Sequence, residues 1–220
     1  MSNKVYLFMC IMYTMYISIG GLCDVKYNID KFTGSKETLF FDWLRTDMAS
    51  VNKILGTDKI DSILFFENII QNSKYPIHGS GTDKKNSVVI IKSLSYCESI
   101  HDIPVSYDSS HINDFIEKYK RRYNRIIEAI LNNKSVIYFI RKGKITHAEK
   151  DIFIKNIQNI NSKCEFKLVE LLEQETTNNY FISEKYFISV NLDNYRVKPV
   201  RDSWTSDCWN WKQIFSDISK

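Results

Sequence analysis

Three prolines and seven glycines leave this 220-residue chain with little punctuation. So little of either excludes a collagen-like or loop-dominated protein. Charge is equally unmarked: 30 basic residues against 26 acidic ones leave +4. No dominant basic face is needed to explain so small an excess, and no nucleic-acid partner is expected. The sequence has no Cys-x-x-Cys, no His-Glu-x-x-His and no paired ligand spacing, so no metal is expected. It also has no phosphate-binding P-loop and no dinucleotide glycine fingerprint, and no cofactor is expected. Internal repeats and low-complexity segments are lacking too.

What is there is enough for a core. Hydrophobic residues make up 44% and aromatic residues 14% of the chain, which excludes global disorder. The length fits one domain, or one domain with an appended piece. Lys, Asn, Ile and Tyr are abundant, a bias typical of an AT-rich genome, which speaks of ancestry rather than mechanism.

Lys4 precedes an uncharged run, Val5 to Ile19. It is too short and too polar for a membrane span of about 20 residues. Two readings stay open: a buried first strand, which we favour, or a signal peptide or anchor ending near Gly20-Gly21. Cleavage there would leave Cys23, Cys97, Cys164 and Cys208, an even number compatible with two disulfides. Leu22 stands where a lipobox needs a small residue. Residues 1–15 are thus an apolar segment, signal-like or part of the first strand, and 16–220 a single domain. A cytoplasmic location is favoured, with secretion if residues 1–21 are a signal peptide. Membrane association is expected only if the segment is an uncleaved anchor.

Periodicity supplies the elements. Val25, Ile29 and Phe32 predict a helix over Cys23–Phe32. Thr46 is positioned to cap a second helix ending at Leu55. Val88-Val89-Ile90-Ile91 marks a strand within Ser87–Leu94. Ser110 can cap a long helix over His111–Leu131, whose apolar residues recur at i, i+3 and i+4 from Ile112 to Ile130. Strands are predicted at Ser135–Ile140, Phe166–Leu172 and Tyr186–Leu192. Thr146 to Glu149 form a capping box for a helix to Ile160, and a short helix spans Trp209–Ile218. Gln71–Asn86, with His78-Gly79-Ser80-Gly81, reads as a loop. Trp204, Trp209 and Trp211 would seal one end of the core. Alternation of strand and helix between 88 and 172 predicts an α/β fold, with a largely parallel central sheet flanked by helices. An α+β architecture is the alternative.

One stretch singles out a reactive atom. The first apolar run ends in Gly20-Gly21, and Cys23 then opens a helix. Amides at a helix start lower a thiol's pKa from about 8.5 into a range of roughly 3.5–7.5, and they can also stabilise an oxyanion. The remaining cysteines read as small core residues. Among the histidines, His101-Asp102 follows an apolar segment and precedes Pro104, as though the chain leaves a sheet edge there. His78, His111 and His147 read as solvated residues. If the sheet is parallel, Cys23 and His101 both lie beyond carboxyl ends of strands, where ligand sites gather. Imidazole could then take the thiol proton, with Asp102, Asp42 or Asp24 orienting the ring. Asp24 equally suits the helix dipole.

Basic residues offer a separate site. Lys118, Lys120, Arg121, Arg122 and Arg125 lie off the apolar stripe of the long helix, as either a solvated face or an anion-binding strip. Arg141, just after a strand, suits bidentate binding of a carboxylate or phosphate.

The order Ser18-Ile19-Gly20-x-x-Cys23, Phe41-Asp42-Trp43, His101-Asp102, Arg121-Arg122-x-x-Arg125, Phe139-Ile140-Arg141 and Trp211-x-x-Ile214-Phe215 resembles a papain-like cysteine peptidase family. That family is known mainly as a domain of unknown function, found in bacteria and in some large DNA viruses and eukaryotes. The resemblance spans about residues 16 to 216. It implies a nucleophile at Cys23 and a base at His101, with Asp42 or Asp102 as third member. A cysteine-dependent hydrolase, of peptidase or acyl-transfer type and acting on a peptide or acyl group, is therefore the leading expectation. The alternatives are a phosphate- or sugar-phosphate-binding transferase-like domain and a non-catalytic secreted interaction protein.

Overall fold

The computed structural model describes residues 14–72, 86–104, 108–132, 134–173, 181–198 and 205–220. The chain enters on strand β1 (Met15–Ser18) and turns into helix α1 (Cys23–Thr33). Next come β2 (Leu44–Thr46), α2 (Met48–Leu55), β3 (Ile69–Asn72), β4 (Asn86–Ile91) and β5 (Cys97–Pro104). The long helix α3 (Ser109–Asn132) leads to β6 (Ile137–Lys142), α4 (His147–Ile160) and β7 (Phe166–Leu172). The last elements are β8 (Phe181–Ser183), β9 (Phe187–Asn191) and α5 (Trp211–Ile218).

Two sheets result. The larger has the order β1-β6-β7-β9-β8. Its first four strands are parallel, and β8 runs antiparallel along β9. Alternation along β6 explains the layers on either side, because successive side chains face opposite ways. Tyr138 and Ile140 share a core with Val25 and Ile29 of α1 and with Trp211, Ile214 and Phe215 of α5. Ile137 and Phe139 join the other core, with Phe153 and Ile157 of α4 and Ile126 and Ile130 of α3. The fold is thus α/β, with a mostly parallel sheet flanked by helices, as the sequence predicts.

A smaller antiparallel sheet, of order β2-β5-β4-β3, is inserted between α1 and α3. It corrects the predicted pairing of the 88–172 region. Strand β4 lies in this second sheet, so the parallel unit of that region is β6-α4-β7. The cause is β5, which the apolar pattern hides. Only residues 92–96 separate β4 from β5, and a parallel return needs a connection of about a dozen residues or more. Two helix starts also shift. Thr46 is paired with Cys97 in the second sheet, and Asp47 caps α2 by accepting from Ser50 N at 2.8 Å. Helix α5 begins at Trp211 behind the Asn210 cap, while Trp209 bridges to Arg196. The Thr146–Glu149 capping box forms as expected.

Trp209 and Trp211 are buried. Trp204, Cys10 and the His78-Gly79-Ser80-Gly81 turn lie outside the described residues. No helix among the described residues is long and apolar enough to cross a membrane.

Candidate active site

The carboxyl ends of β1, β6, β7 and β9 share one edge of the larger sheet, and the β1–α1 turn sits on it. Gly20 and Gly21 both have positive φ, 80° and 93°, a backbone that glycine adopts without steric cost. Space demands glycine as well. A Cβ on Gly20 would overlap the Thr46 hydroxyl, and one on Gly21 would stand 3.0 Å from the Lys142 carbonyl oxygen. The turn is therefore pressed between β2 and β6. It delivers Cys23 as the first residue of α1, half-buried and directly beyond β1. Helices α2, α4 and α5 start behind capping side chains of Asp47, Thr146 and Asn210. Helix α1 starts behind Leu22, which makes no side-chain cap.

Arg141 secures this turn. Its guanidinium donates to Ile19 O at 3.2 Å and to Thr46 O at 2.6 Å, joining the end of β1 to β2. Burial lowers its pKa, with Asp47 and Glu149 opposing. Arg125 donates to Thr38 O, Arg122 lies over the Tyr119 ring, and Arg121 is exposed on α3. Three of the four arginines read as anion ligands thus hold the chain's own carbonyls or an aromatic face.

Asp42 is buried beside α1. Its Oδ2 accepts from Leu39 N at 2.7 Å and pairs with Lys26 Nζ at 3.1 Å. Its Oδ1 is buried without a hydrogen-bond partner. Desolvation raises its pKa to about 6, against the opposing pull of Lys26. The next residue, Trp43, has φ 67°, a strained value for a bulky side chain. It lines an open groove with Tyr27, Asp30, Gly34 and Thr38.

His101 does not leave a sheet edge; it lies within β5, in an irregularity of the β4–β5 pairing. Four steps of β5 (Ser99 to Ile103) oppose two of β4 (Ser87 to Val89), so the extra residues fall around His101. Bulges of this kind re-aim side chains. Here Asp102 is brought to Ser99, Lys118 and Tyr119, all of which donate to its carboxylate. These bonds hold its pKa below the usual value despite desolvation. Asp102 is thus committed to α3, while His101 is exposed. Asp42 and His101 lie two residues beyond the paired Leu44 and Ser99, at the same end of the antiparallel β2–β5 pair. Lys26, one turn after Cys23, meets Asp42 on that side.

The sequence reading missed Lys142 and Glu170. Lys142 Nζ pairs with Asp24 Oδ2 at 3.0 Å and with Glu173 at 2.5 Å, and lies 4.2 Å from the Trp209 ring centroid. Asp24 also accepts from Ser206 Oγ at 2.5 Å. Glu170 accepts from Ile145 N and Ser189 Oγ, fixing the loop before α4. A second basic residue after Arg141, still within the strand, was the available signal for Lys142.

The four described cysteines form no disulfide with one another. Burial pushes the Cys97 thiol well up and the Cys164 thiol to about 11, which leaves both inert as nucleophiles. The described residues contain no group of His, Cys, Asp and Glu arranged to hold a metal.

Residues 14–180 match the model of a family described as "Putative papain-like cysteine peptidase". The chain belongs to that family. It is also similar to "Uncharacterized protein R408" of Acanthamoeba polyphaga mimivirus, 28% identical over 91% of this chain and 96% of the relative. No solved structure matches.

Proposed function

We propose that the protein is a cysteine-dependent hydrolase or acyl transferase, with Cys23 as nucleophile, His101 as base and Asp42 as third member. The observation that carries this reading is Cys23 at the head of α1, beyond a two-glycine turn on the carboxyl edge of the parallel sheet. Positive potential at a helix start favours a thiolate there. Its sulfur attacks a carbonyl carbon, and backbone amides of the turn hold the oxyanion. Protonated His101 returns the proton to the departing amine or alcohol. Water, deprotonated by the same ring, then releases the acid from the thioester. The family description supports the same chemistry. Asp42 is preferred to Asp102 because three donors already hold the Asp102 carboxylate.

The test is pH-dependent alkylation of the folded protein with mass mapping of each cysteine. Cys23 is expected to react fastest, with an apparent pKa well below 8.5 that rises in His101→Ala. A slow Cys23 with an ordinary thiol pKa would overturn the reading.

A further inference from the structure

Asp24 follows Cys23 in the chain, and its side chain is completely buried. A carboxylate so close to a thiol disfavours the thiolate, so Asp24 opposes the proposed role of its neighbour. The structure answers it with Lys142, whose ammonium is 6% exposed and reaches Asp24 Oδ2 from the end of β6. Ser206 donates to the same oxygen, Val25 N donates to the other, and the Asn28 amide ties the Asp24 carbonyl to Thr205.

Such a pair is a poor source of stability, because desolvation of two charges offsets most of their attraction. Its place in the fold gives it a different use. The pair joins the first turn of α1 to the strand whose backbone already presses on Gly21. We infer that Lys142 is a positioning residue for Cys23, neutralising Asp24 and clamping the first turn of α1, so that the helix-terminal potential acts on the thiol. This rests on the proposed role of Cys23.

Several charged groups are packed around the first turn of α1. Asp24 and Lys26 come from α1, Arg141 and Lys142 from β6, and Glu173 from just beyond β7. Asp42 faces Lys26, Asp47 acts on Arg141, and His101 stands on β5. Glu173 is exposed and takes up only part of the Lys142 charge. Removing Lys142 takes the cation from both Asp24 and Glu173, whereas removing the Asp24 charge leaves Lys142 in place.

The experiment follows the alkylation rate of Cys23 against pH in the wild type, Asp24→Asn, Lys142→Gln and the double variant. Lys142→Gln is expected to raise the thiol's apparent pKa by about one unit, a tenfold slower reaction at a pH below both values. Asp24→Asn should lower it, and the double variant should return close to the wild type. A purely structural clamp would not give opposite signs for the two single variants. If Lys142→Gln does not fold, the sign in Asp24→Asn decides. A depressed wild-type pKa that Asp24→Asn leaves unmoved would overturn this inference alone. A wild-type Cys23 with an ordinary pKa would overturn the nucleophile reading beneath it.

Discussion

Helix α1 carries two buried charges two residues apart, on opposite faces, and the molecule satisfies them differently. Asp24 faces the parallel sheet and has donors on both oxygens: Lys142 and Ser206 on one, Val25 N on the other. Lys26 faces the inserted sheet, where it is shared between Asp30 at 2.8 Å and Asp42 at 3.1 Å. That second group is under-satisfied, because Asp42 Oδ1 is buried with no hydrogen-bond partner. Complete pairing makes a fixed anchor. Two carboxylates around one ammonium, with a buried oxygen of Asp42 left over, leave Asp42 able to take up a proton. The helix is thus fully paired on the side of the parallel sheet and incompletely paired on the side that carries Asp42.

The largest effect that separates the two pairs comes from deleting each lysine. Lys142→Met leaves a fully buried carboxylate without its cation, an unpaired charge that costs about 3–5 kcal/mol. Lys26→Met should cost less, because the open oxygen of Asp42 can accept a proton and the charge disappears. Urea denaturation of both variants at neutral pH checks the order. Equal losses would mean that the two pairs are equivalent and that the orphaned oxygen of Asp42 has no energetic consequence.

A second effect is visible in pH alone. Asp42 is raised from 3.8 to about 6, so between those values the folded state binds more protons than the unfolded one. Stability then falls as pH rises through this window, and it is highest below it for this group. The difference of two units corresponds to about 3 kcal/mol between pH 3 and pH 7. Asp42→Asn carries the neutral form at every pH, so it should remove that slope from the stability profile. Other carboxylates with lowered pKa values, such as Asp102, slope the opposite way and remain in both proteins. The difference between the two profiles isolates Asp42. A difference that does not vary between pH 4 and 6 would show Asp42 to be an ordinary ionised carboxylate.

The same contrast explains what was legible in the sequence. Elements with an unbroken period were read almost to the residue: α3 from its apolar stripe, α4 from its capping box, and β7 from a continuous run buried on both faces. The parallel sheet followed, because β6 and β7 are neighbours in it and are joined directly through α4. Strand β5 was not legible, because Glu98, Ser99, His101 and Asp102 break any alternation and the bulge removes what register is left. Without β5 the second sheet disappears, and β4 reads as part of the first. The Cys23 turn could be seen because glycine pairs and helix starts are local signals. The partners of Asp24 and Asp42 could not, since Lys142 and Lys26 look like any other lysine until the chain is folded. Arg141 shows the reverse, a residue whose place beyond a strand suggested a ligand and whose guanidinium is directed to two backbone carbonyls.

The smallest predicted effect concerns the start of α1. Leu22 occupies the N-cap with φ −135° and ψ 155°, the extended backbone of a capping residue, but it has no acceptor to offer. It is 39% exposed, so shortening it sacrifices little buried surface. Leu22→Ser places a hydroxyl where it can accept from the first-turn amides and should stabilise the protein by about 1 kcal/mol. The two sides of α1 then give opposite readouts. Thermal unfolding should shift upward, while Cys23 alkylation near neutral pH should slow, because the new acceptor competes with the thiolate for the same positive potential. Stabilisation with unchanged thiol reactivity would separate the helix start from the chemistry and leave Cys23 dependent on its charged neighbours alone.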